Sequence, residues 1–316
     1  MLQKKNNLKI VFFGTAAISV PLLQRCSSFG EIIAVVTAPD ARAGRGKKLN
    51  ISPIKKAALE LGLNILQPDN VKSSKFIQQI RELEPYIFIL FAYGQILPKT
   101  LLSIPKWALN VHPSALPKYR GAAPIQRAIM AGERETAITI IQMSERVDAG
   151  GVLMQQPIPI EIDDTYDSLA AHVASAAGYL VERALQGLLD GSLVASPQSS
   201  EGVSKAPKIH KSERLINWAK PAVDVYNLIR AFPSQYHPYT IFRGKRLNII
   251  RADIADEDGA GIPGTLILEC GRLLVQCGPG FIELIQVQPE GKKVMDAAAF
   301  INGYRPQPED ILGSSK

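Results

Sequence analysis

The segment LNVHPS contains a carboxamide and an imidazole at a spacing that could do chemistry. Asn110 and His112 are two positions apart, so on a β-strand their side chains share a face. The apolar pattern predicts that this strand is buried and ends at His112, which places both groups near the mouth of a site. A carboxamide donor and an imidazole together can stabilise an oxyanion and manage a proton.

An imidazole that works as an acid or a base usually needs a carboxylate to orient it. Asp148, in the segment SERVDAGG, is the candidate because it also follows a predicted strand and could reach His112 across the sheet. Two alternatives stay open on spacing alone. Asp148 could cap a turn, a common role for Asp close to Gly, and Glu145 in the same segment is a weaker rival.

Patterns for the common cofactors are incomplete. Gly14–Thr15 follows the first predicted strand but lacks the rest of a G-x-G-x-x-G fingerprint, and Gly44–Lys47 lacks Walker A spacing. No H-E-x-x-H segment or other clustered set suggests a metal. The cysteines form no C-x-x-C pair and are too scattered for a disulfide framework: Cys26, Cys270 and Cys277. We therefore expect neither a nicotinamide cofactor nor a metal.

The composition is that of an ordinary globular chain. Of 316 residues, 46% are hydrophobic and 21% are charged, and the mean hydropathy is +0.04, which excludes a largely disordered chain. No window approaches the ~18 uninterrupted apolar residues of a transmembrane helix. The polar, basic start before Ile10 is unlike a signal peptide. We expect a cytoplasmic protein that does not enter a membrane.

The net charge of +7 suggests an anionic partner, and its distribution is uneven. Residues 1–208 contain 23 basic and 17 acidic residues, whereas residues 209–316 contain 13 and 12. Six basic residues and no acid lie between Arg42 and Lys56. A solvated loop that aids solubility is the ordinary interpretation of such a run. Its place after a strand, with glycines among the charges, favours a loop that binds phosphates.

Strand and helix patterns alternate over the first ~190 residues, which predicts a Rossmann-like parallel sheet covered on both faces. Ligands of such sheets bind beyond the carboxyl ends of the strands. The predicted strands are Leu8–Phe13, Glu31–Thr37, Tyr86–Tyr93, Ala108–Val111 and Ala137–Met143. The predicted helices are Ala17–Ser27, Pro53–Leu61, Ser73–Leu83, Pro124–Ala131 and Thr165–Leu189.

A second domain is predicted after a Ser-, Gly- and Pro-rich stretch. We expect a first domain over residues 1–189, a linker over 190–208 and a C-terminal domain over 209–316. Short helical patterns open the C-terminal domain, and five short strands at turn-punctuated spacing follow. They predict a small β-barrel, with the OB-fold as one candidate. The strands are Tyr239–Phe242, Leu247–Ala252, Gly264–Glu269, Leu273–Gln276 and Phe281–Val287.

The run Asn110–Gly121 (NVHPSALPKYRG), followed by Asp148–Gly150, resembles the signature of the folate-dependent formyltransferases. The resemblance implies that Asn110, His112 and Asp148 are the catalytic residues. It also implies 10-formyltetrahydrofolate as the formyl donor and no metal. The folate would lie against Phe91–Gly94, Ser114–Pro117 and Ile140–Asp148. Its individual contacts would be Phe91, Ala92, Tyr93, Gly94, Ser114, Ala115, Leu116 and Pro117.

Further segments resemble the branch of this family that acts on methionyl-tRNA. Arg42–Leu49 (RAGRGKKL) resembles its tRNA-facing loop, Gly121–Ile129 its extension of the signature, and Ala206–Ile209 the start of its C-terminal domain. The implied acceptor is the amino group of initiator methionyl-tRNA. The C-terminal domain would also bind tRNA, and the protein would be a monomer. The implied tRNA contacts are Arg42, Arg45, Lys47 and Lys48.

Some segments depart from the family pattern. Gly14–Ala17 lacks the proline and the aromatic residue that usually follow Gly-Thr, Ala115 replaces a leucine, and Ala231–Pro238 differs from the usual continuation. Two other functions stay open at this point. One is a formyltransferase or hydrolase with a small-molecule acceptor, and the other is a non-catalytic RNA-binding protein on the same fold.

Overall fold

The structure is a computed structural model that describes residues 8–43, 48–307 and 310–313, with the backbone alone for 42, 43 and 48–50. The chain forms two compact units. The first consists of Met1–Pro124, Glu135–Pro159 and Ala170–Pro207, and the second of Ile125–Arg134, Ile160–Leu169 and Lys208–Lys316. Most of the predicted linker, 190–208, therefore belongs to the first unit. The domain boundaries at 189 and 209 stay a prediction.

A seven-stranded sheet forms the centre of the first unit, in the order β10-β9-β7-β6-β1-β2-β5. Five strands are parallel, but they are not the five predicted ones, because β5 was not predicted. The strand predicted at Ala137–Met143 is β9, which runs antiparallel to β7 and not parallel as expected, and β10 runs antiparallel to β9. The strands are β1 (Lys9–Gly14), β2 (Glu31–Val36), β3 (Ala41–Ala43), β4 (Lys48–Asn50), β5 (Ile65–Leu66), β6 (Ile87–Phe91), β7 (Trp107–His112), β8 (Arg120–Gly121), β9 (Glu135–Gln142), β10 (Val152–Pro159) and β11 (Lys205–Ala206). Two short pairs, β3–β4 and β8–β11, lie outside this sheet.

Five of the first six helices begin and end close to where the patterns predict, whereas the short helix Lys99–Leu102 was not predicted. They are α1 (Val20–Cys26), α2 (Pro53–Glu60), α3 (Ser74–Glu82), α4 (Lys99–Leu102), α5 (Pro124–Met130) and α6 (Tyr166–Asp190). The side chain of Ser52 accepts a hydrogen bond from the Lys55 N–H, and that of Ser73 accepts one from the Phe76 N–H. These caps start α2 and α3 and satisfy N–H groups that would otherwise lack a partner. In the described ranges, no helix is long and apolar enough to span a membrane.

The sheet has a buried core beneath its carboxyl edge, and α3 packs against one of its faces. Every residue of β6 is buried. On one face, Phe13 meets Phe88 and Tyr93 edge to face, with ring centroids 5.0 and 5.5 Å apart, and Phe76 and Ile80 of α3 belong to the same core cluster. Each such side chain contributes about 1.5–3 kcal/mol by leaving water. The strand ends that follow this core are thus fixed in position.

The second unit contains an antiparallel sheet in the order β12-β13-β16-β15-β14, with β17 paired to β16. Its elements are α7 (Ala222–Arg230), β12 (Tyr239–Phe242), β13 (Lys245–Ala260), β14 (Leu266–Glu269), β15 (Arg272–Gln276), β16 (Pro279–Pro289), β17 (Met295–Asp296) and α8 (Ala297–Tyr304). The Leu312 N–H donates to Gly264 O (2.8 Å), and the Gly313 N–H donates to Ile241 O (2.9 Å). One C-terminal segment thus bonds to β12 and to the residues just before β14, and β12 and β14 are the two edge strands of this sheet. The closed barrel that the sequence predicts stays a prediction.

An ion pair links two segments of the second unit. The Arg127 guanidinium donates to both carboxylate oxygens of Glu213, at 2.6 and 3.1 Å, and Glu213 also accepts from the His210 N–H at 2.7 Å. The hydrogen bond from Arg127 is the main cause that lowers the pKa of Glu213 below its ordinary value of 4.5. The pair therefore stabilises the folded state when Glu213 is ionised.

We expect Glu213→Gln to lower the free energy of unfolding by about 1–2 kcal/mol at neutral pH, because a hydrogen bond to a charged group is lost. Since the pKa of Glu213 is lower in the folded state, this stabilisation is present above the ordinary pKa. It is lost as the pH falls through the folded-state value. Urea unfolding at neutral and acidic pH measures the difference. Glu257→Gln, on an exposed side chain, is the control, and an unfolding difference that persisted at acidic pH would contradict the role of this pair.

Candidate active site

The structure brings Asn110, His112 and Asp148 together at the end of β7. Asn110 Nδ2 donates to Asp148 Oδ1 at 3.1 Å, and His112 Nδ1 lies 3.6 Å from Asp148 Oδ2. The His112 side chain is 5% exposed and that of Asp148 is 12% exposed. An amide nitrogen has two hydrogens, and among the described residues Asn110 Nδ2 donates only to Asp148. Its second hydrogen is therefore available to an oxyanion.

One hydrogen bond determines which nitrogen of His112 carries a proton. His112 Nε2 lies 2.9 Å from the carbonyl oxygen of Tyr119. A carbonyl oxygen can only accept, so Nε2 must be the N–H donor. The other nitrogen, Nδ1, then faces the carboxylate of Asp148. The Tyr119 carbonyl thus orients the imidazole, and the Asp148 carboxylate lies 3.6 Å from its other nitrogen.

Asp148 reaches His112 by a route that the sequence did not predict. Because β9 runs antiparallel to β7, its end at Gln142 pairs with Leu109, near the start of β7. The loop that follows must turn back along β7 to bring Asp148 to Asn110. The turn is tight: Asp148 has a φ of +51°, and a Cβ on Gly150 would clash with the carbonyl oxygen of Gln142. The loop after β9 thus meets the other loops although its strand is antiparallel.

The two alternatives for the carboxylate are now distinguished by their contacts. The carboxylate of Asp148 bonds to other segments of the chain, since Oδ2 accepts from the Gly121 N–H at 2.9 Å and Oδ1 from Asn110. Glu145 instead forms an exposed ion pair with Lys99 at 2.9 Å. Asp148 therefore joins β7 to β8, whereas Glu145 points to the surface.

The last residue of β6 is Phe91, and the loop after it contains Ala92, Tyr93 and Gly94. Ala92 has a φ of +50°, and its carbonyl oxygen accepts from the Thr15 N–H at 3.1 Å, while Thr15 Oγ1 donates to Tyr93 O at 3.0 Å. These bonds tie the loops after β1 and β6 together. Burial raises the pKa of Tyr93, and the described residues offer its hydroxyl no hydrogen-bond partner. Gly94 has a φ of +94° and open space where a side chain would stand.

The loop after β7, Ser114 to Pro117, is held by three hydrogen bonds. Ser114 Oγ donates to Lys118 O at 2.7 Å, Thr139 Oγ1 donates to Ser114 O at 2.6 Å, and Gln155 Nε2 donates to Leu116 O at 3.1 Å. Ser114 and Leu116 are buried, while Ala115 and Pro117 are half-buried. Thr139 and Gln155 were not predicted. β10, which contains Gln155, is an edge strand with a polar middle and two prolines, so it shows no strand pattern.

The basic run contains two short strands, β3 and β4, that pair antiparallel between β2 and α2, and residues 41–50 are called the basic hairpin below. Backbone pairs join Ala41 to Asn50, Arg42 to Leu49 and Ala43 to Lys48. Arg45 and Lys47 lie outside the described residues. Lys55, one of the six basic residues between Arg42 and Lys56, bonds instead to two side chains outside this run. Its Nζ donates to Asp40 Oδ2 at 2.5 Å and to Gln67 Oε1 at 2.7 Å. The hydrogen bond from Lys55 lowers the pKa of Asp40.

Comparison with known protein families identifies the family to which the chain belongs. The profile described as "Formyl transferase" matches residues 8–185, and "Formyl transferase, C-terminal domain" matches residues 208–305. The chain belongs to the formyltransferase family. Within the described ranges, this formyltransferase has no group of three or more His, Cys, Asp or Glu side chains that could hold a metal ion.

Relatives of the formyltransferase match it over almost their whole length. It is 40% identical over 303 residues to the methionyl-tRNA formyltransferase of Myxococcus xanthus, which covers 95% of this chain and 96% of that one. It is 38% identical over 300 residues to that of Caldanaerobacter subterraneus subsp. tengcongensis, which covers 94% and 97%. The fold is also that of the N-formyltransferase from Helicobacter canadensis in complex with folinic acid and dTDP-3-aminofucose, with a TM-score of 0.66, 22% identity and coverage of 89% and 99%.

Gly121 is the position where β8 meets both Asp148 and β11, so its substitution tests the packing of the site. Gly121 has a φ of +132°, and a Cβ there would lie 2.5 Å from Ala206 O. Gly191 also has a positive φ, of +77°, but with nothing within 4 Å. We expect Gly121→Ala to cost about 3 kcal/mol or more of stability and Gly191→Ala about 1 kcal/mol, as measured by urea unfolding. Equal losses would show that the contact with Ala206 is unimportant.

Proposed function

We propose that this formyltransferase transfers the formyl group of 10-formyltetrahydrofolate to the free amino group of initiator methionyl-tRNA, giving N-formylmethionyl-tRNA for translation initiation. The observation that carries the proposal is the Asp148 carboxylate, which bonds to Asn110 and faces His112 at the end of β7. Near full-length similarity to methionyl-tRNA formyltransferases supports the choice of acceptor. We also propose that the protein acts in the cytoplasm as a monomer.

The residues of the trio act at two points of the reaction, the oxyanion and the proton of the amine. The amine adds to the formyl carbon, a C–N bond forms, and the former carbonyl oxygen becomes an oxyanion. Asn110 stabilises that oxyanion with its second amide hydrogen, and His112 stabilises it with the Nε2 hydrogen, which leaves the Tyr119 carbonyl for the oxyanion. Asp148 orients His112. It also assists the removal of the proton from the amine, by way of a water molecule. When the bond between the formyl carbon and the folate nitrogen breaks, that nitrogen takes up a proton, so atoms and charge balance.

The folate lies at the carboxyl edge of the sheet, against Phe91–Gly94, Ser114–Pro117 and Ile140–Asp148. Its flat ring needs apolar walls with backbone polar groups beside them. Phe91 and Leu116 are buried apolar residues at this edge, and the open backbone at Gly94 leaves polar groups accessible. The hydrogen bonds to Ser114 and Leu116 keep the second loop in one shape. These residues therefore fit the formyl donor.

The basic hairpin binds the acceptor stem of the tRNA through Arg42, Arg45, Lys47 and Lys48. Its support is a run of cations on a hairpin that follows β2, whose carboxyl end lies at the same edge as those of β1 and β6. Phosphates bind such cations without readout of sequence. The C-terminal barrel, residues 209–316, adds a second and weaker tRNA-binding surface.

The decisive assay for the acceptor incubates the protein with 10-formyltetrahydrofolate and methionyl-tRNA. We expect formylated methionyl-tRNA as the product. Amino sugar nucleotides and other small amines serve as competing acceptors, since a family member of the same fold was solved with dTDP-3-aminofucose. Faster formylation of a small amine than of methionyl-tRNA would contradict the proposal, and absence of folate binding would favour a non-catalytic RNA-binding protein.

The catalytic trio is tested by Asn110→Ala, His112→Ala and Asp148→Ala. Each variant should lose at least ~10²–10³ in kcat, because one positioned donor or its orienting group is removed from the developing oxyanion. Circular dichroism and thermal unfolding check that each variant is folded. Near-normal turnover of all three would reject this assignment of the site.

The basic hairpin is tested by Arg42→Ala and Lys47→Ala, with Lys75→Ala on the exposed surface of α3 as a charge-matched control. The hairpin variants should raise KM for methionyl-tRNA or lower kcat through mispositioning, and KM for folate should change little. The KM for tRNA should also depend less steeply on salt, because fewer phosphates are neutralised. A weaker folate affinity with unchanged tRNA kinetics would place the tRNA elsewhere.

A further inference from the structure

A side chain from the predicted linker holds the loop that presents Asp148. Gln198 Nε2 donates to the carbonyl oxygens of Asp148 and Gly150, both at 2.8 Å. Its Oε1 accepts from Arg120 Nε at 3.0 Å and from Arg120 Nη2 at 2.6 Å. One half-buried amide thus joins the Asp148 loop to β8, and both of these segments contact the catalytic trio.

The orientation of this amide is fixed by the chemistry of its partners. Carbonyl oxygens only accept and a guanidinium only donates, so the Gln198 nitrogen must face the loop and its oxygen must face Arg120. Both amide hydrogens and both lone pairs of the oxygen are then used. A carboxylate of the same size could keep the contact with Arg120, but it could not donate to the two carbonyl oxygens.

The two carbonyls that Gln198 holds belong to the tight turn that begins at Asp148. Asp148 occupies the left-handed region with a φ of +51°, a conformation that costs a non-glycine residue about 1–3 kcal/mol and persists only when its surroundings impose it. By fixing the carbonyls of Asp148 and Gly150, Gln198 fixes two peptide planes that follow the Asp148 Cα, 148–149 and 150–151. Those planes set the direction of the Asp148 side chain.

The same segment also holds the opposite side of the site. Ser204 Oγ accepts from the Tyr119 N–H at 2.9 Å, and Ser204 O accepts from the Arg120 N–H at 3.0 Å. Tyr119 in turn supplies the carbonyl that orients His112. The segment from Gln198 to Ala206 is therefore packed against the loops on both sides of the trio and does more than connect two units.

We propose that Gln198 is a positioning residue for the formyl-transfer reaction, acting through Asp148. The amide holds the turn at Asp148 so that the carboxylate stays between Asn110 and His112. This inference rests on the proposed role of Asp148 in the reaction. Gln198 does not touch the reacting atoms, so its loss should reduce the rate of the chemical step without weakening the binding of either substrate.

The test compares Gln198→Ala and Gln198→Glu with wild type, and uses Glu201→Ala, an exposed residue of the same segment, as the control. We expect Gln198→Ala to lower kcat about 10- to 100-fold, since a small misplacement of a catalytic group has effects of this size. KM for both substrates should stay within about twofold. The loss in Gln198→Glu should be at least as large, although this variant conserves size and the contact with Arg120.

Two further measurements separate positioning from a general loss of structure. Titration with 5-formyltetrahydrofolate, which the variants should bind as wild type does, reports the folded folate site. In single-turnover reactions, Gln198→Ala combined with Asp148→Ala should be no slower than Asp148→Ala alone, because Gln198 acts through Asp148.

Wild-type turnover in Gln198→Glu would overturn the proposal, because it would show that only the size of the side chain matters. Losses that multiply in the double variant would do the same, since Gln198 would then act by another route. Normal turnover of Asp148→Ala on its own would instead reject the proposed catalytic site. The two failures are therefore distinguishable.

Discussion

The rest of the site depends on how the charge of one nearly buried carboxylate, that of Asp148, is stabilised. Asp148 is 12% exposed, and an ion taken out of water costs several kcal/mol unless hydrogen bonds and opposite charge replace the lost hydration. Its donors come from two segments, Asn110 on β7 and the Gly121 N–H of β8. The site can therefore exist only when β8 is in place, and β8 is held there by its pairing with β11. A contact far along the chain is thus part of the chemistry.

Backbone strain is concentrated around this carboxylate. Of seven non-glycine residues with positive φ in the described chain, three lie in the loops of the site: Ala92, Tyr119 and Asp148. Each such conformation costs about 1–3 kcal/mol and must be imposed by its surroundings. Hydrogen bonds impose it here: Ala92 O accepts from Thr15, Tyr119 O accepts from His112, and Asp148 O accepts from Gln198.

The sequence was sufficient for the elements whose patterns are local. The five predicted strands are all present, and alternation alone placed Asn110 and His112 on one face of β7. Spacing could not choose between Asp148 and Glu145, because the choice depends on an antiparallel strand and a turn that runs back along β7. β10 was not predicted, because an edge strand can contain prolines and polar residues and then lacks the usual strand pattern. Gln198 lies in a stretch whose composition indicates a linker, and its role depends on contacts about 50 residues away along the chain, for which no periodicity exists.

The net charge of +7 suggests an anionic partner, and the structure reduces the number of basic residues that could bind it. Lys55 is paired with Asp40 and serves the base of the hairpin, so it is not available to a phosphate. A two-stranded ribbon by itself is only marginally stable, and the clasp of Asp40, Lys55 and Gln67 anchors this one to α2 and to the segment after β5. Asn110 and His112, by contrast, lie on β7, and the hydrogen bonds of Asp148 to Asn110 and Gly121 are short, nearly buried contacts that salt screens little. With the proposed site residues, binding of a polyanionic acceptor and the chemical step would rest on separate parts of the first unit, and ionic strength should act on the former while leaving the latter unchanged.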